Sequence, residues 1–424
     1  MDTMRKYLIL LALCAVFLSL NACETLSNRS AGIIPPDMTL AEYNPESVSI
    51  PTVSSLQQAI ENCADGDTLY LQTGVYIAIP SEFIEHLCGN CLEARTDVTA
   101  STGFRILNKS VTIIGKHRDS TILVTGAGYG VYFENAGHSN LLHLKVTGGI
   151  RDLDGAATDA AVVVRGTNLT VRNCSLSDNT DRKDSVVVGI GGLFGREGAE
   201  IDISHSAIVN NGWDGIALYK GAAAIISDCE IRKGRGAGIG VTWDAYCVAR
   251  RNDISEYWKG IGAFGTSVVI AHNNLVHENL GWGIIGTGQS YLEAANNVVY
   301  HNGNCGVAPW SQECRGRFVN NIIVNNGWRD EWVCPCVGVW NYGSTDKWEF
   351  YNNLVWNNTA GNYKDIKDQT GKNGNISADP LFVGENDFHL QPNSPAIDAG
   401  FGEITDTDGS PSDLGMYGGT SALK

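Results

Sequence analysis

Four charged residues near the middle of the chain have side chains suited to proton transfer. They are Asp214, Lys220, Arg235 and Lys259. A basic side chain can remove a proton from a substrate when its surroundings lower its pKa, and a nearby carboxylate can hold a cation or a proton. We therefore predict these four residues as the catalytic set. The alternative is that they are solvated surface charges or members of ion pairs.

A second set of residues suits the binding of acidic sugars. Aromatic side chains recur on the same predicted face of consecutive repeats, at Tyr219, Trp243, Phe264, Trp282, Trp310 and Trp340. Such rings can stack on the apolar faces of sugars. Arg165 and Arg196 stand at one strand end of adjacent repeats, and a guanidinium can bind a carboxylate through two hydrogen bonds. The alternative for the aromatic residues is that they only cover strands or pack under loops.

These residues lie in a repeat of 22–24 residues that is marked by one small or amide side chain. The marked positions are Cys174, Ser206, Cys229, Asn252, Asn274, Asn297, Asn321 and Asn353. Apolar residues alternate in short runs between Gly and Asn, which is the strand period interrupted by turns. Repeats of this kind indicate a solenoid. The predicted fold is an all-β, single-stranded right-handed parallel β-helix with about 22–24 residues per coil.

The marked column has a structural interpretation of its own. Successive coils of such a solenoid stack about 4.7–4.9 Å apart. An inward Asn at a turn can therefore bond its own backbone and the Asn in the coils above and below, which satisfies buried polar groups. Two steps of 32 residues indicate insertions at residues 178–191 and 327–337. We expect these insertions to build a binding face.

Length and charge limit the functions that are open to the chain. It has 424 residues, with 46 acidic and 30 basic side chains and a net charge of −16. That charge argues against nucleic acid as a partner, but local basic columns could still bind an anionic polysaccharide. A solenoid grows in one dimension, so one elongated domain over residues 52–419 is predicted, including a C-terminal cap, and we expect a monomer.

The N-terminus predicts export and lipidation. Residues 1–22 combine Arg5 and Lys6 with an apolar run over residues 7–20, as in a signal peptide. The segment ends at Cys23, where a bacterial lipoprotein would be cleaved and acylated. Residues 23–51 are predicted to be a polar tether. The expected location is the outer membrane or cell surface, with the lipid anchor as the membrane contact.

The cysteines predict disulfides. Ten of the 12 cysteines follow the lipidation site, and an exported compartment permits disulfides. Cys305 lies one predicted coil from Cys336, so this pair is a candidate bridge. For the close pair Cys88 and Cys91, a disulfide that clips a loop is favoured over a metal site.

Several local motifs resemble members of the right-handed parallel β-helix, or pectate-lyase-like, superfamily. Residues 56–60, followed by residues 65–71, are similar to the entry segment of many such proteins, in which a short helix caps the first coil. Residues 394–400 and 413–417 resemble the ending that is common in bacterial surface β-helix proteins. The resemblance covers roughly residues 52–419 and is specific for the fold rather than for an activity.

The resemblance implies roles for the charged residues. In a lyase of this superfamily, a lysine or arginine removes the proton next to a carboxylate that is neutralised by cations or Ca²⁺. Here Lys220, Arg235 or Lys259 would be the base, and Arg196 or a Ca²⁺ ion on Asp214 would neutralise the carboxylate. No cofactor is required by this scheme, Ca²⁺ is the one candidate, and no other metal ligands are assigned.

Two functions remain open at this point. The first is a surface-anchored protein that binds or acts on polysaccharide, as a lyase, a C5-epimerase or a glycoside hydrolase, with uronate-containing glycans as the expected substrate. The alternative is a non-catalytic envelope or adhesion protein that uses the β-helix as a rigid platform. The chain has no Asp-Asp pair resembling that of the polygalacturonases and no Asp-Pro-His motif of the mannuronan epimerases.

Overall fold

The computed structural model describes residues 30–87, 97–182, 189–342 and 347–422. The predicted signal peptide 1–22, the lipidation site Cys23 and the pair Cys88 and Cys91 lie outside these residues, so their assignments stay predictions. Within the described ranges, none of the helical structure combines the length and apolarity needed to span a bilayer.

Three long sheets run side by side along the molecule. Sheet 1 contains the strands Ser30–Ile34, Asp67–Leu71, Val111–Gly115, His138–Leu142, Asn168–Arg172, Glu200–Ser204, Ala223–Ser227, Tyr246–Arg250, Val268–His272, Tyr291–Ala295, Arg315–Val319 and Trp348–Tyr351. Sheet 2 contains Gly74–Ile77, Thr121–Val124, Lys145–Thr147, Ser175–Asn179, Ala207–Asn211, Glu230–Arg232, Asp253–Ser255, Leu275–His277, Val298–Tyr300, Ile322–Val324 and Leu354–Trp356. Sheet 3 contains Ser81–Glu85, Val98–Leu107, Tyr129–Glu134, Ala160–Arg165, Gly191–Arg196, Ile216–Leu218, Ala237–Val241, Lys259–Ala263, Trp282–Gly286, Val307–Pro309, Val339–Trp340 and Tyr363–Lys364.

Most coils give one strand to each sheet, and neighbouring strands pair in parallel, except that Ser81–Glu85 pairs antiparallel with Val98–Leu107 at the end of sheet 3. In sheet 3, for example, Ile239 pairs with Ile261, which pairs with Ile284. All three side chains are fully buried in the single core that fills the solenoid. Stacking identical apolar positions in register buries a continuous column, which a lone coil could not do. The fold is a right-handed parallel β-helix, as the repeat predicted.

The N-terminal end is closed by a helix and by one added strand. The helix Ser55–Asn62 starts at the N-cap residue Ser54 and buries Leu56 and Ile60, which confirms the predicted capping helix. Before it, the strand Ser30–Ile34 pairs in parallel with Asp67–Leu71. Within the segment predicted as a tether, residues 23–51, residues 30–34 therefore form a strand of sheet 1. A short strand covers the open sheet edge there, because that edge would otherwise leave backbone groups unpaired.

Small strand pairs complete the described structure. Ile150–Arg151 pairs in parallel with Asp181–Arg182 beside sheet 3. Near the C-terminus, Phe382–Gly384 pairs antiparallel with Asp387–Leu390. The last segment, residues 396–421, folds back against the outside of the solenoid and hydrogen-bonds to turn residues of sheet 1.

The predicted asparagine ladder is present and is accompanied by a second one. In the first ladder, the side-chain amides of Asn252, Asn274, Asn297, Asn321, Asn353 and Asn375 are joined one to the next by hydrogen bonds of 2.9–3.0 Å. Ser206 continues this ladder, since its hydroxyl accepts from the Cys174 amide at 3.1 Å. The second ladder joins Asn279, Asn302, Asn326 and Asn358 at 2.9 Å. Both ladders satisfy buried turn amides that water cannot reach.

Replacing Asn297 with alanine is expected to lower the free energy of unfolding by at least about 3 kcal/mol, because each buried group left unpaired costs about 1–3 kcal/mol. The side chain of Asn297 donates to Ala271 O at 2.9 Å and accepts from the Asn274 amide at 2.9 Å. The measurement is the shift of the chemical unfolding midpoint. Asn168→Ala, which removes one surface hydrogen bond of 3.3 Å, is the control. Equal shifts for the two variants would contradict the ladder's role.

The described cysteines are all buried free thiols. The predicted bridge between Cys305 and Cys336 is therefore not formed. Cys305 Sγ instead donates to Pro335 O at 2.9 Å, and Cys336 Sγ donates to Arg329 O at 2.9 Å. The coil spacing had brought the two residues into the same region, but backbone carbonyls of the inserted segment 327–337 hold each thiol separately.

Candidate functional site

The outer surface of sheet 3 brings part of the predicted set together. Ala237 pairs with Lys259, and Lys259 pairs with Trp282, so these residues form one column that runs along the solenoid. Asp214 lies at the start of this column, and its Oδ1 accepts a hydrogen bond from the Ala237 amide at 2.6 Å. Alanine between the two charged residues leaves room for the long Lys259 side chain to interact with Asp214.

Asp214 and Lys259 alter each other's proton affinity. Burial raises the pKa of Asp214 to about 6, against the lowering effects of the Ala237 amide and of Lys259. Burial lowers the pKa of Lys259 below its ordinary value, and the Asp214 charge partly opposes this. In the described structure Lys259 forms no ion pair shorter than 4 Å. Its Nζ lies 5.7 Å from the ring centre of Phe264 and 5.9 Å from that of Trp282. An amine in such a place is a candidate base.

A continuous aromatic ladder begins beside Lys259. Its rings follow one another in the order Trp332, Trp258, Trp282, Trp310, Trp340 and Tyr342. Adjacent ring centres lie 5.1–5.7 Å apart. Of the six aromatic residues predicted as a platform, the ladder contains Trp282, Trp310 and Trp340. Trp282 and Trp340 are only 2% and 6% exposed, whereas Trp332 and Tyr342 are 68% and 65% exposed. The buried rings support the ladder, and the outer rings give it an accessible surface.

The inserted segment 327–337 forms one wall of this face. Trp332 packs edge to face on Trp258, and the Arg329 guanidinium lies 5.1 Å from the centre of the Trp258 ring. The sequence had indicated the insertion as part of a binding face but had not selected Trp258 or Trp332. Trp258 stands directly before Lys259, and this position could have identified it as part of the site.

A column of small residues runs along sheet 3 beside the column that contains Asp214 and Lys259. Ala217 pairs with Gly240, and Gly240 pairs with Gly262. The Phe264 ring lies over Gly262, where an added Cβ would come within 2.4 Å of the ring. Glycine is therefore needed at position 262 for Phe264 to lie flat on the sheet.

Arg165 and Arg196 are adjacent on sheet 3, as predicted, but they belong to an ionic network rather than to an open surface. Arg196 is fully buried, and its Nη1 and Nε bind Glu85 at 2.9 Å and Glu197 at 2.6 Å. Arg165 pairs with Glu134 at 3.0 Å. Because these guanidinium groups already bind carboxylates, the geometry favours a structural role over the predicted grip on a substrate.

The remaining predicted residues lie around the column in different environments. Tyr219 is buried against Phe194, with ring centres 5.8 Å apart, so its predicted contact with substrate has no surface to use. Lys220 Nζ lies 5.5 Å from the centre of the half-buried Trp243 ring. Arg235 is exposed at the edge of the sheet. Of the predicted bases, Lys259 alone combines burial, a neighbouring carboxylate and the aromatic ladder.

Among the described residues, no group of three or more His, Cys, Asp or Glu side chains is arranged to hold a metal ion. The Ca²⁺ predicted for Asp214 would therefore take its other ligands from the substrate or from water.

Comparisons with known proteins agree on the architecture. Residues 189–355 match the family described as "Right handed beta helix region". The structure is similar to that of pectate lyase Pel9A, with a TM-score of 0.52, 15% identity, and coverage of 93% of this chain and 97% of that chain. A mannuronan C-5 epimerase A-module of Azotobacter vinelandii, AlgE6, is less similar, with a TM-score of 0.46, 13% identity, and coverage of 80% and 100%.

The catalytic domain of a GH87 α-1,3-glucanase has a TM-score of 0.43 and 13% identity, with coverage of 78% of this chain and 67% of that chain. No curated protein sequence matches the chain. At these identities the likeness concerns the fold. The repeat, the three parallel sheets and the family match over residues 189–355 together identify the fold of the chain as a right-handed parallel β-helix.

Proposed function

We propose that the chain binds a uronate-containing polysaccharide along sheet 3 and cleaves it by β-elimination, with Lys259 as the base. The observation that carries the proposal is a lysine of lowered pKa at the start of an aromatic ladder. The ladder runs along the solenoid axis, because its rings come from successive coils. An extended glycan that lies on the ladder would place one of its sugars beside Lys259.

The chemistry follows from the position of the amine. Neutral Lys259 Nζ takes the proton from the sugar carbon next to the carboxylate. The electron pair left behind forms a double bond within the ring, and the bond to the leaving glycosidic oxygen breaks. That oxygen gains a proton from water, and Lys259 returns its own proton to water afterwards. One chain thus becomes two, one of which ends in an unsaturated uronate. The Asp214 charge raises the pKa of the amine, against the effect of burial. Exposed Arg235 is placed at the sheet edge to attract an anionic substrate.

The test is ultraviolet absorbance of the unsaturated uronate while the purified protein meets pectate, alginate and glucuronate polymers, with Ca²⁺ or with chelator. A rise with one polymer supports the lyase, and dependence on Ca²⁺ would support a cation that bridges the substrate to Asp214. No rise with any polymer would overturn the proposed reaction.

Binding without turnover is the second candidate. It is favoured by the burial of Trp282 and Trp340. It is also favoured by the ion pairs that Arg165 and Arg196 each form with a glutamate, because they leave fewer groups to act on a substrate. The same polymers separate the two functions, since a pure binder would retain polymer on the exposed rings of Trp332 and Tyr342 without a change in absorbance.

The Asp214→Asn variant is expected to move the acidic limb of the pH–rate profile to lower pH. The Asp214 carboxylate raises the pKa of Lys259, so its removal lowers that pKa further and frees the base at lower pH. The measurement is kcat against pH. Asp244→Asn, which removes an exposed carboxylate that accepts from the Gly221 amide, is the matched control. A limb that stays in place or moves to higher pH would contradict the coupling.

We also propose that the chain is exported and anchored through a lipid on Cys23. The apolar segment 7–20 and the cysteine that follows it support this proposal. The Cys23→Ser variant should then appear in the soluble fraction of a bacterial host, whereas the unchanged chain should stay with the membranes.

A further inference from the structure

A cavity lies on a different face of the molecule from the proposed catalytic site. It has a volume of about 300 Å³, is half open to solvent and lies between the outer surface of sheet 1 and the C-terminal segment 396–421. Sheet 1 supplies His272, Glu293 and Arg317 from three consecutive strands. We call this space the tail cavity. Its volume is at the lower end of the range for ligand pockets, enough for one small ring.

The roof of the tail cavity is held in place by turn asparagines. Asn320 Oδ1 accepts from the Phe401 amide at 2.7 Å. Asn296 Nδ2 donates to Asp413 O at 2.9 Å, and Asn273 Nδ2 donates to Gly418 O at 2.7 Å. These hydrogen bonds fix the segment to three successive coils. The cavity is therefore formed before any ligand arrives, which lowers the ordering cost of binding.

Polar groups of both kinds face the cavity. Glu293 Oε1 and His272 Nε2 lie 2.9 Å apart. Burial opposes ionisation of Glu293, but the His272 hydrogen bond and the charges of His272 and Arg317 leave its pKa below the ordinary value, so it is an acceptor at neutral pH. Arg317 Nε is buried and has no hydrogen-bond partner among the described residues, and its ion pair with Glu349 is long, at 4.0 Å.

Apolar groups complete the lining. Ala295 and Val319 form the floor between the polar residues, and Phe401 and Ile404 come from the roof. The Phe401 ring centre lies 5.9 Å from the Arg317 guanidinium. A sugar ring presents both kinds of surface, with C–H faces for the apolar groups and hydroxyls around its edge.

The charges of the lining select among ligand classes. An anionic ligand would meet Glu293 and Glu403, and a cationic ligand would meet Arg317. Neutral hydroxyls can donate to a carboxylate and accept from a guanidinium at the same time. We propose that the tail cavity binds one neutral sugar residue, with Arg317 and Glu293 sharing its hydroxyls. This binding site uses none of the sheet 3 residues and does not depend on the proposed lyase reaction.

The experiment is saturation-transfer NMR on the full chain with the methyl glycosides of glucose, galactose and mannose as probes. Glucuronate and glucosamine serve as charged comparisons. At least one neutral glycoside should bind, and Glu293→Gln and Arg317→Gln should each weaken that binding about tenfold or more, as expected for loss of a charged hydrogen bond. Arg315→Gln removes the same charge from the same strand at an exposed position outside the cavity and should leave binding unchanged.

Two outcomes would overturn the proposal. One is binding of glucuronate or glucosamine with no binding of the neutral glycosides. The other is that the neutral glycosides do not bind at all, or that they bind the unchanged chain and the Glu293→Gln variant equally well. Phe401→Leu provides a second variant if Arg317→Gln does not fold, and it should also weaken binding. Polymer cleavage is measured on the same variants, so loss of sugar binding at intact cleavage separates this site from sheet 3.

Discussion

Replacing Lys259 with methionine is expected to lower kcat for cleavage of the uronate polymer by about 10²–10⁴-fold, the usual contribution of a general base. Methionine removes the amine but keeps an unbranched stem that can pack on Phe264 and Trp282, whose ring centres lie 5.7 and 5.9 Å from the Lys259 Nζ. The aromatic ladder is left in place, so we expect KM to change little. The measurement is the initial rate of ultraviolet absorbance at saturating polymer.

Two lysine variants show whether the loss belongs to position 259. Lys116→Met changes an exposed lysine remote from sheet 3 and should leave kcat unchanged. Lys220→Met removes the amine above Trp243 and should raise KM more than it lowers kcat, because that lysine is placed to attract an anionic chain. If Lys220→Met abolished kcat and Lys259→Met left it intact, the base would be Lys220, and the assignment to Lys259 would be wrong.

The register of the solenoid could be predicted because one side-chain column repeats at nearly constant spacing. The ladder through Asn274 and Asn297 was found in this way, and so was the column that contains Asp214 and Lys259. The second ladder was missed, although Asn279 and Asn302 each stand five residues after a member of the first. That constant offset is a sequence signal, and it would have located the second turn of the coils from Asn274 to Asn353.

The chemistry of the arginines could not be predicted in the same way. Arg196 was predicted to be an outward cation because it stands with Arg165 at one strand end of adjacent repeats. Its partner Glu85 is 111 residues away, in a strand that pairs antiparallel at the edge of sheet 3. No local sequence pattern indicates that the strand Ser81–Glu85 brings Glu85 next to Arg196. Whether a charged residue such as Arg196 is buried depends on partners that are distant in sequence. The repeat pattern predicts only contacts between neighbouring coils.

Arg196→Met is expected to lower the free energy of unfolding by about 3–5 kcal/mol, the usual cost of leaving a buried charge without its partner. Arg196 is 0% exposed and binds Glu85, Glu197 and Thr158. Glu85 is itself buried, and burial already raises its pKa despite the charge of Arg196. Without the arginine that pKa rises further. The thermal unfolding midpoint is the measurement.

The pH dependence and a second substitution show whether the cost is electrostatic. A carboxyl group with a raised pKa in the folded state contributes stability at low pH that is lost as pH rises through that pKa. The deficit of Arg196→Met should therefore grow from acidic to neutral pH. Glu85→Gln removes the unpaired charge, so the double variant should recover much of the loss, as expected when a buried pair is replaced by neutral groups.

The same variant separates a structural role for Arg196 from the predicted grip on substrate. A buried guanidinium that binds only protein groups should leave KM for the polymer unchanged below the unfolding midpoint. A rise in KM with the fold intact would instead mean that the substrate reaches Arg196, which requires the ion pair with Glu85 to open. A double variant with recovered stability and normal KM would establish that Arg196 compensates the buried charge of Glu85 and makes no contact with the substrate.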